Sequence, residues 1–401
     1  KDPAISTLRT IPRGVWTLGF VSMFMDLSSE MIHSLLPVFL VSVLGVSVMA
    51  VGVIEGIAEA TAAITKVFSG AISDWMGRRK PLVLLGYGIA ALTKPLFPLA
   101  TGVGMVLTAR FIDRIGKGIR GAPRDALVAD LTPKKLLGAA YGLRQSMDTV
   151  GAFAGPLLAL LLMMATNDDF RLVFWFAVIP AFICVAFVVF GVQEPEVAHE
   201  HKQRRFPIQR SEIARLSRRY WWVIAFAAVL TLARFSEAFL LLRAENVGLA
   251  VAWVPLIMIV MNVVYAASAY PFGHLSDRMS HHTLLALGIA FLIIADLILA
   301  IASNPWLVGF GALFWGLHMG ATQGLLSAIV ADVAPADLRG TAFGLFNLVT
   351  GVALLAASVI AGGLWSVIGP AMTFYAGAVF AMLALFGLVF NKRLHMKKQF
   401  N

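Results

Sequence analysis

Residues 129–145 read ADLTPKKLLGAAYGLRQ, and residues 331–347 read ADVAPADLRGTAFGLFN. Eight of the seventeen positions are identical, at an offset of 202. Gly70, Ser73, Asp74 and Met76 recur as Gly273, Ser276, Asp277 and Met279 at an offset of 203, and Ser29–Glu30 matches Ser236–Glu237. Self-similarity at a fixed spacing settles architecture before any single element does. The chain therefore reads as two equivalent halves, with equivalent helices carrying equivalent signals.

Composition says what surrounds those helices. Of 401 residues, 59% are hydrophobic and 13% charged, whereas a soluble domain is about 45–50% apolar and about 25% charged. Too little polar surface exists to cover the chain in water. This excludes a soluble enzyme, a secreted disulfide scaffold and a disordered regulator. The single cysteine, Cys184, permits neither an intrachain disulfide nor a cysteine zinc site. The net charge of +10 does not point to nucleic acid. Its basic residues cluster in short segments between apolar runs, as cytoplasmic loops of a membrane protein do.

A membrane helix needs about 20 mostly apolar residues. Runs of that kind fall near 15–44, 47–72, 81–101, 103–125, 134–164 and 170–191, then near 219–243, 248–275, 283–302, 305–331, 338–363 and 370–391. The expectation is an all-α membrane protein of twelve transmembrane helices. The first run is too long, and with Asp26, Glu30 and His33 too polar, for a cleaved signal sequence. Arg9, Arg13, Arg78–Lys80, Lys134–Lys135, Lys202 to Arg219, Arg278, Arg339 and Lys392 to Lys398 fall on one side, which the positive-inside rule makes the cytoplasm, with both termini there. The polar stretch 192–217 is read as a cytoplasmic linker between an N-terminal six-helix bundle, 1–191, and a C-terminal one, 218–401. Two pseudo-symmetric bundles related by an axis along the membrane normal are a secondary-transporter arrangement.

The segment Gly70-Ala-Ile-Ser73-Asp74-Trp-Met-Gly77-Arg78-Arg79-Lys80 resembles the G-x-x-x-D-x-x-G-R-R-K signature of the major facilitator superfamily, and Gly273 to His282 is its weaker copy. The resemblance covers the whole chain. It implies alternating access, with Asp74, Arg78, Arg79, Asp277 and Arg124 gating the cytoplasmic side. A carboxylate is favoured at a helix N-terminus by unpaired N–H groups and the helix dipole, which fits that role. In the fourth run, Arg114-Ile-Gly-Lys117-Gly118-Ile-Arg120-Gly121-Ala122 is similar to the family's R-x-x-Q-G-x-G-x-A proton-relay motif, with Lys117 in place of Gln and Arg120 in place of Gly. In the fifth, Gly151-Ala-Phe-Ala-Gly155-Pro156 is similar to the antiporter motif G-x-x-x-G-P. Small residues four apart also serve plain helix packing.

Ionisable residues inside spans are expensive, at about +2.5 to 3.5 kcal/mol each on insertion scales, and default to functional hypotheses. Asp26, Glu30 and His33 share one face of the first span. They are read as proton carriers, as partners of the fourth span's cations, or as ligands of a divalent metal. In the second span Glu59 is a candidate, while Glu55, nearer the outer end, is expected to face water. Lys94, beside Pro95, is expected to snorkel outward. Arg110, Asp113, Arg114, Lys117, Arg120 and Arg124 form a stripe on the fourth span. Arg120 and Arg124 are expected at its cytoplasmic end, while Arg114 and Lys117 need carboxylates that Asp26 and Glu30 offer. The fifth span adds Arg144 and Asp148, with Gln145 adjacent, and the counterparts of the charged pair, Phe346 and Thr350, show that this charge sits in one half. In the superfamily, the first, fourth, seventh and tenth spans line the central cavity. The seventh and tenth bring Arg234, Glu237, His318 and Gln323, with Asn262 and Asp296 as additions.

The expected function is a proton-coupled secondary transporter for a small organic anion or zwitterion, with export favoured. Asp26, Glu30, Arg114 and Asp148 are assigned to proton coupling, and His33, Glu59, Lys117, Arg144, Arg234, Glu237, His318 and Gln323 to substrate. The alternative is a transporter of a transition metal or its chelate, using Asp26, Glu30 and His33. No H-E-x-x-H, no G-x-S-x-G with partners and no Walker-type phosphate loop occurs, so neither an enzyme nor direct ATP drive is expected. The expected partners are the solute, H+ and the lipid bilayer, with no cofactor and no nucleic acid. The expected setting is a monomer in the bacterial cytoplasmic (inner) membrane.

Overall fold

A computed structural model describes residues 11–133, 136–194, 213–276, 279–322, 325–335 and 338–399. Among these residues the fold is helical and no strand occurs. In chain order the principal helices are α1 Arg13–His33, α2 Val48–Met76, α3 Lys80–Thr93, α4 Val103–Asp130, α5 Leu137–Ala165, α6 Phe170–Gly191, α7 Arg218–Leu232, α8 Ala238–Asn246, α9 Pro255–Ser276, α10 His281–Ile301, α11 Pro305–Thr322, α12 Leu325–Val333, α13 Arg339–Val367 and α14 Pro370–Gln399. The expected seventh span is thus α7 plus α8, and the tenth α11 plus α12.

Local chemistry sets many of the ends. Asp169 Oδ1 accepts from the Leu172 N–H at 3.0 Å to start α6, and Ser217 and Ser280 Oγ cap α7 and α10 through Tyr220 and Thr283. Such caps satisfy donors that the first turn leaves orphaned. Gly77 turns the chain between α2 and α3 at φ 66°, a conformation that costs a side chain energy. Pro95 cannot continue the α3 hydrogen-bond ladder, and α3 ends at Thr93.

Nine helical stretches among the described residues are long and apolar enough to cross a membrane. Three of the twelve expected spans fall short on those criteria. The fourth, α4, carries too many charges; the seventh is broken between Leu232 and Ala238, and the tenth is described only on either side of residues 323–324. The outer surface is apolar: Phe190, Trp306 and Val367 are 87%, 89% and 83% exposed. An apolar belt of that kind needs lipid, not water, around it.

The chain divides into two compact units, one of residues 1–36 and 61–207 and the other of 37–60 and 208–401. In the first, α1 packs on α5 and α6, and α3 on α4 and α6, around a core that includes Leu18, Val21, Met25, Tyr87, Leu127 and Val188. In the second, α10 packs on α11 and α14, α9 on α11, and α7 on α13 and α14. Within each unit, glycines set the closest approaches. A Cβ at Gly86 would meet Gly116 O at 2.7 Å and Arg120 Cβ at 2.7 Å, and a Cβ at Gly311 would meet the side chain of Leu299 at 2.6 Å.

Candidate functional site

The first unit gathers most of the charge. Gly151 and Gly155 of α5 leave no room for side chains, since a Cβ at either would stand 2.5 Å from Met23 O and 2.7 Å from Glu30 Cβ respectively. The G-x-x-x-G-P segment is therefore the seat on which α1 presents Asp26 and Glu30. Small residues let the two backbones approach, which is the packing role of the motif.

Four charged groups act on Asp26: Asp148 of α5 and Lys117, Arg120 and Arg124 of α4. Lys117 and Arg114 act on Glu30, and His33 Nδ1 lies 3.5 Å from Glu30 Oε2. Lys117 is thus common to both carboxylates of α1. Arg144 donates through Nη1 to Asp148 Oδ2 at 2.9 Å and through Nη2 to Gln145 Oε1 at 2.9 Å. The same guanidinium stands 3.8 Å from Asp125 Oδ1, which also holds Arg124 at 3.1 Å. From Asp148, a like charge acting on Asp26, alternating charges lead through Arg144 and Asp125 to Arg124, and Arg124 Nη1 donates to Ser22 Oγ on α1 at 3.1 Å. Low dielectric strengthens each such contact and penalises any member left alone.

Three placements differ from the expectations. Lys94 does not reach outward: its side chain is 2% exposed, and Nζ donates to Asp113 Oδ1 at 3.0 Å and Ser29 Oγ at 2.9 Å. The short turn after Thr93 directs it inward, where a carboxylate and a hydroxyl meet it. Arg120 is 5% exposed and lies 4.6 Å over the Tyr87 ring, so it is packed in the interior and not held out to lipid headgroups. Stacking on an aromatic face suits a planar guanidinium. Glu55 does not face water; it is 1% exposed, and Ser236 Oγ donates to its Oε2 at 3.4 Å.

Arg79 meets Asp130 Oδ2 at 3.2 Å and Ser73 Oγ at 2.8 Å. Glu194 accepts from the backbone N–H groups of Arg79 at 2.5 Å and Lys80 at 2.7 Å. The carboxylate at the start of α3 is therefore Glu194, from the chain just beyond α6. Arg78 is exposed. The side chain of Asp74, the whole of Asp277, and Gln323 lie outside the described residues.

In the second unit, Arg234 and Glu237 stand at the break between α7 and α8, and Glu237 and Tyr265 act on Arg234. His318 is fully buried, with Nδ1 2.8 Å from Gly288 O. Glu59 falls on α2 at partial exposure. Of the α1 trio, Glu30 and His33 meet, and no group of three His, Cys, Asp or Glu among the described residues is gathered for a metal. The residues that the sequence did not single out are Ser22, Tyr87, Asp125, Asp130 and Glu194, and Ser29 was marked only as part of the internal repeat. Only the odd acidic residue on a basic helix, Asp125 beside Arg124, left a legible trace.

The family profile described as Major Facilitator Superfamily matches residues 18–256 and 238–400. An uncharacterized MFS-type transporter of Methanocaldococcus jannaschii is 34% identical over 390 residues, covering 95% of this chain and 96% of that protein. A probable 4-methylmuconolactone transporter of Cupriavidus pinatubonensis is 26% identical, covering 85% of this chain and 82% of that one. The crystal structure of a POT family transporter in complex with 5-aminolevulinic acid superposes with a TM-score of 0.79 at 13% identity, covering 95% of this chain and 96% of that chain.

Proposed function

Because the chain belongs to the major facilitator superfamily and is a multi-pass membrane protein of a transporter family, we propose that it couples proton movement to transport of a small organic anion or zwitterion across the cytoplasmic membrane. The observation that carries the proposal is the sharing of Lys117 between Asp26 and Glu30. While both carboxylates are ionised, Lys117 is neutralised by them. Protonating Asp26 removes one counter-charge and leaves Lys117, with Arg114 behind it, available to an anionic substrate group. Binding that differs between the two protonation states is what alternating access needs, since a ligand shifts an equilibrium only by its differential affinity. Arg144 and Asp148 relay the change along α5, and Arg234, Glu237, Glu59, His318 and Gln323 are assigned to substrate.

The α4 and α5 motif fragments favour export by antiport, with the protein acting as a monomer and both termini in the cytoplasm. The gate is assigned to Asp74, Arg78, Arg79, Asp277 and Arg124, with Glu194 and Asp130 as its acidic partners. The metal reading finds no support in the geometry of Asp26, Glu30 and His33.

The test is a thermal-shift screen of the purified protein in acidic and alkaline buffer against small organic anions, zwitterions, drug-like cations, Fe(II), Mn(II), Ni(II) and Zn(II). Stabilisation by an anion or zwitterion that Lys117→Ala and Arg144→Ala abolish supports the proposal. Stabilisation by a metal alone, lost in Asp26→Asn, overturns it.

A further inference from the structure

The two units repeat one another closely enough for single positions to be compared. A Cβ at Gly86 of α3 would press on Gly116 and Arg120 of α4, and a Cβ at Gly288 of α10 on Ala321 and Thr322 of α11, with His318 bonded to the Gly288 carbonyl. At the offset of 202, Gly86 becomes Gly288, Gly116 becomes His318 and Arg120 becomes Thr322. The α3–α4 and α10–α11 pairs therefore share one register. Eight residues beyond each glycine stand Lys94 and Asp296, and opposite them Asp113 and Trp315.

The same position is treated in opposite ways. Lys94 is paired with Asp113 and bonded to Ser29. Asp296 is 0% exposed, yet neither of its oxygens has a hydrogen-bond partner among the described residues. A Cβ at Gly377 of α14 would lie 2.7 Å from Asp296 Oδ2 and 2.9 Å from Phe235 Cε1, so the carboxyl is wedged between α14 and the α7–α8 break. Phe235 in turn packs on Phe239, Trp315 and Phe374, each with ring centroids 5.6 Å away. The position that would hold a counter-charge by symmetry holds Trp315.

Among residues whose side chains are described, the titratable groups on the surrounding elements are His318 on α11, Tyr375 on α14, Tyr265 on α9, Asp332 on α12, His281 and His282 on α10 itself, and Arg234 and Glu237 beside Phe235. Arg243 of α8 is engaged by the carbonyls of Leu299, Ala300 and Ala302. Among the described residues, no charged neighbour acts on Asp296. An ionised carboxylate in such surroundings, with neither cation nor donor, is not sustained; the group takes up a proton instead.

We propose that Asp296 is a proton-binding site, occupied in this conformation, and that its neutral form lets the α7–α8 break stay packed and dry against α10 and α14. Release requires the junction of Asp296, Gly377 and Phe235 to open to water. The site is distinct from Asp26 and Glu30 and makes the second unit responsive to pH.

Two readouts on the full-length purified protein test this. In infrared difference spectra at neutral pH, wild type minus Asp296→Asn is expected to show one carboxylic-acid C=O band. Loss of carboxylate bands instead, or no carboxyl difference at all, overturns the proposal. Hydrogen–deuterium exchange of residues 232–238, corrected for intrinsic chemical exchange, is expected to rise with pH in the wild type and to stay flat in Asp296→Asn, where the amide mimics the neutral acid. A parallel rise in both proteins overturns it. Should Asp296→Asn not fold, Gly377→Ala serves, because its methyl presses on Oδ2. Its exchange is expected to rise at lower pH than in the wild type, and an unshifted profile counts against the site.

Discussion

Gly155 of α5 lies directly against Glu30 of α1, so closely that a Cβ on the glycine would fall 2.7 Å from the Glu30 Cβ. The contact joins a packing motif to a carboxylate of the proposed coupling site, and the two roles of the G-x-x-x-G-P segment meet at one pair of residues. Gly155→Ala is expected to destabilise the first unit by about 1–3 kcal/mol through overpacking against backbone that cannot retreat. A lowered thermal midpoint in detergent checks this. An unchanged midpoint would mean that α1 and α5 are free to separate.

Lys94 and Asp113 form a buried ion pair at 3.0 Å. Removing one partner leaves an uncompensated charge, so Lys94→Met or Asp113→Leu alone is expected to cost about 3–5 kcal/mol, while the double variant recovers most of that loss. The double-mutant cycle in thermal melts is the check. Additive single losses would show that the pair is not coupled.

Glu194 caps α3 through the Arg79 and Lys80 N–H groups. Glu194→Ala is expected to cost about 0.5–2 kcal/mol, the ordinary loss for a helix cap. It is also expected to speed amide exchange in residues 79–82 while leaving α4 unchanged. Uniform exchange across the unit would instead indicate general loosening.

Lys117→Ala is expected to weaken binding of an anionic ligand found by the thermal-shift screen by at least tenfold, which corresponds to about 1.4 kcal/mol. Calorimetric titration checks this, and Asp130→Asn, at the far end of α4, is expected to leave that affinity unchanged.

Much of the architecture was legible because it rests on patterns that repeat. The 202-residue offset joined the two halves, and the long apolar runs located the helices. The break between α7 and α8 was not legible. Nothing in Ala233 to Glu237 is a proline or glycine, so the end of α7 at Leu232 comes from tertiary packing of Phe235 and not from local propensity. Lys94 was misread for a related reason. Lysine beside proline near a span's end ordinarily reaches for water, and only the fold brings Asp113, nineteen residues on, to within 3.0 Å of it. Glu55 reads as solvent-facing until α2 and the α7–α8 break are seen to pack together through Ser236. Periodicity names the face of a helix, but which helix covers that face is a long-range fact.

In the proposed cycle, Asp26 and Glu30 carry the proton whose arrival frees Lys117. The most direct measurement uses proteoliposomes loaded with the ligand that the screen identifies and follows its movement under an imposed pH gradient. Asp26→Asn and Glu30→Gln should fold, should exchange ligand for ligand, and should lose gradient-driven accumulation. If both variants still accumulate ligand along the pH gradient as the wild type does, these carboxylates are not the coupling site.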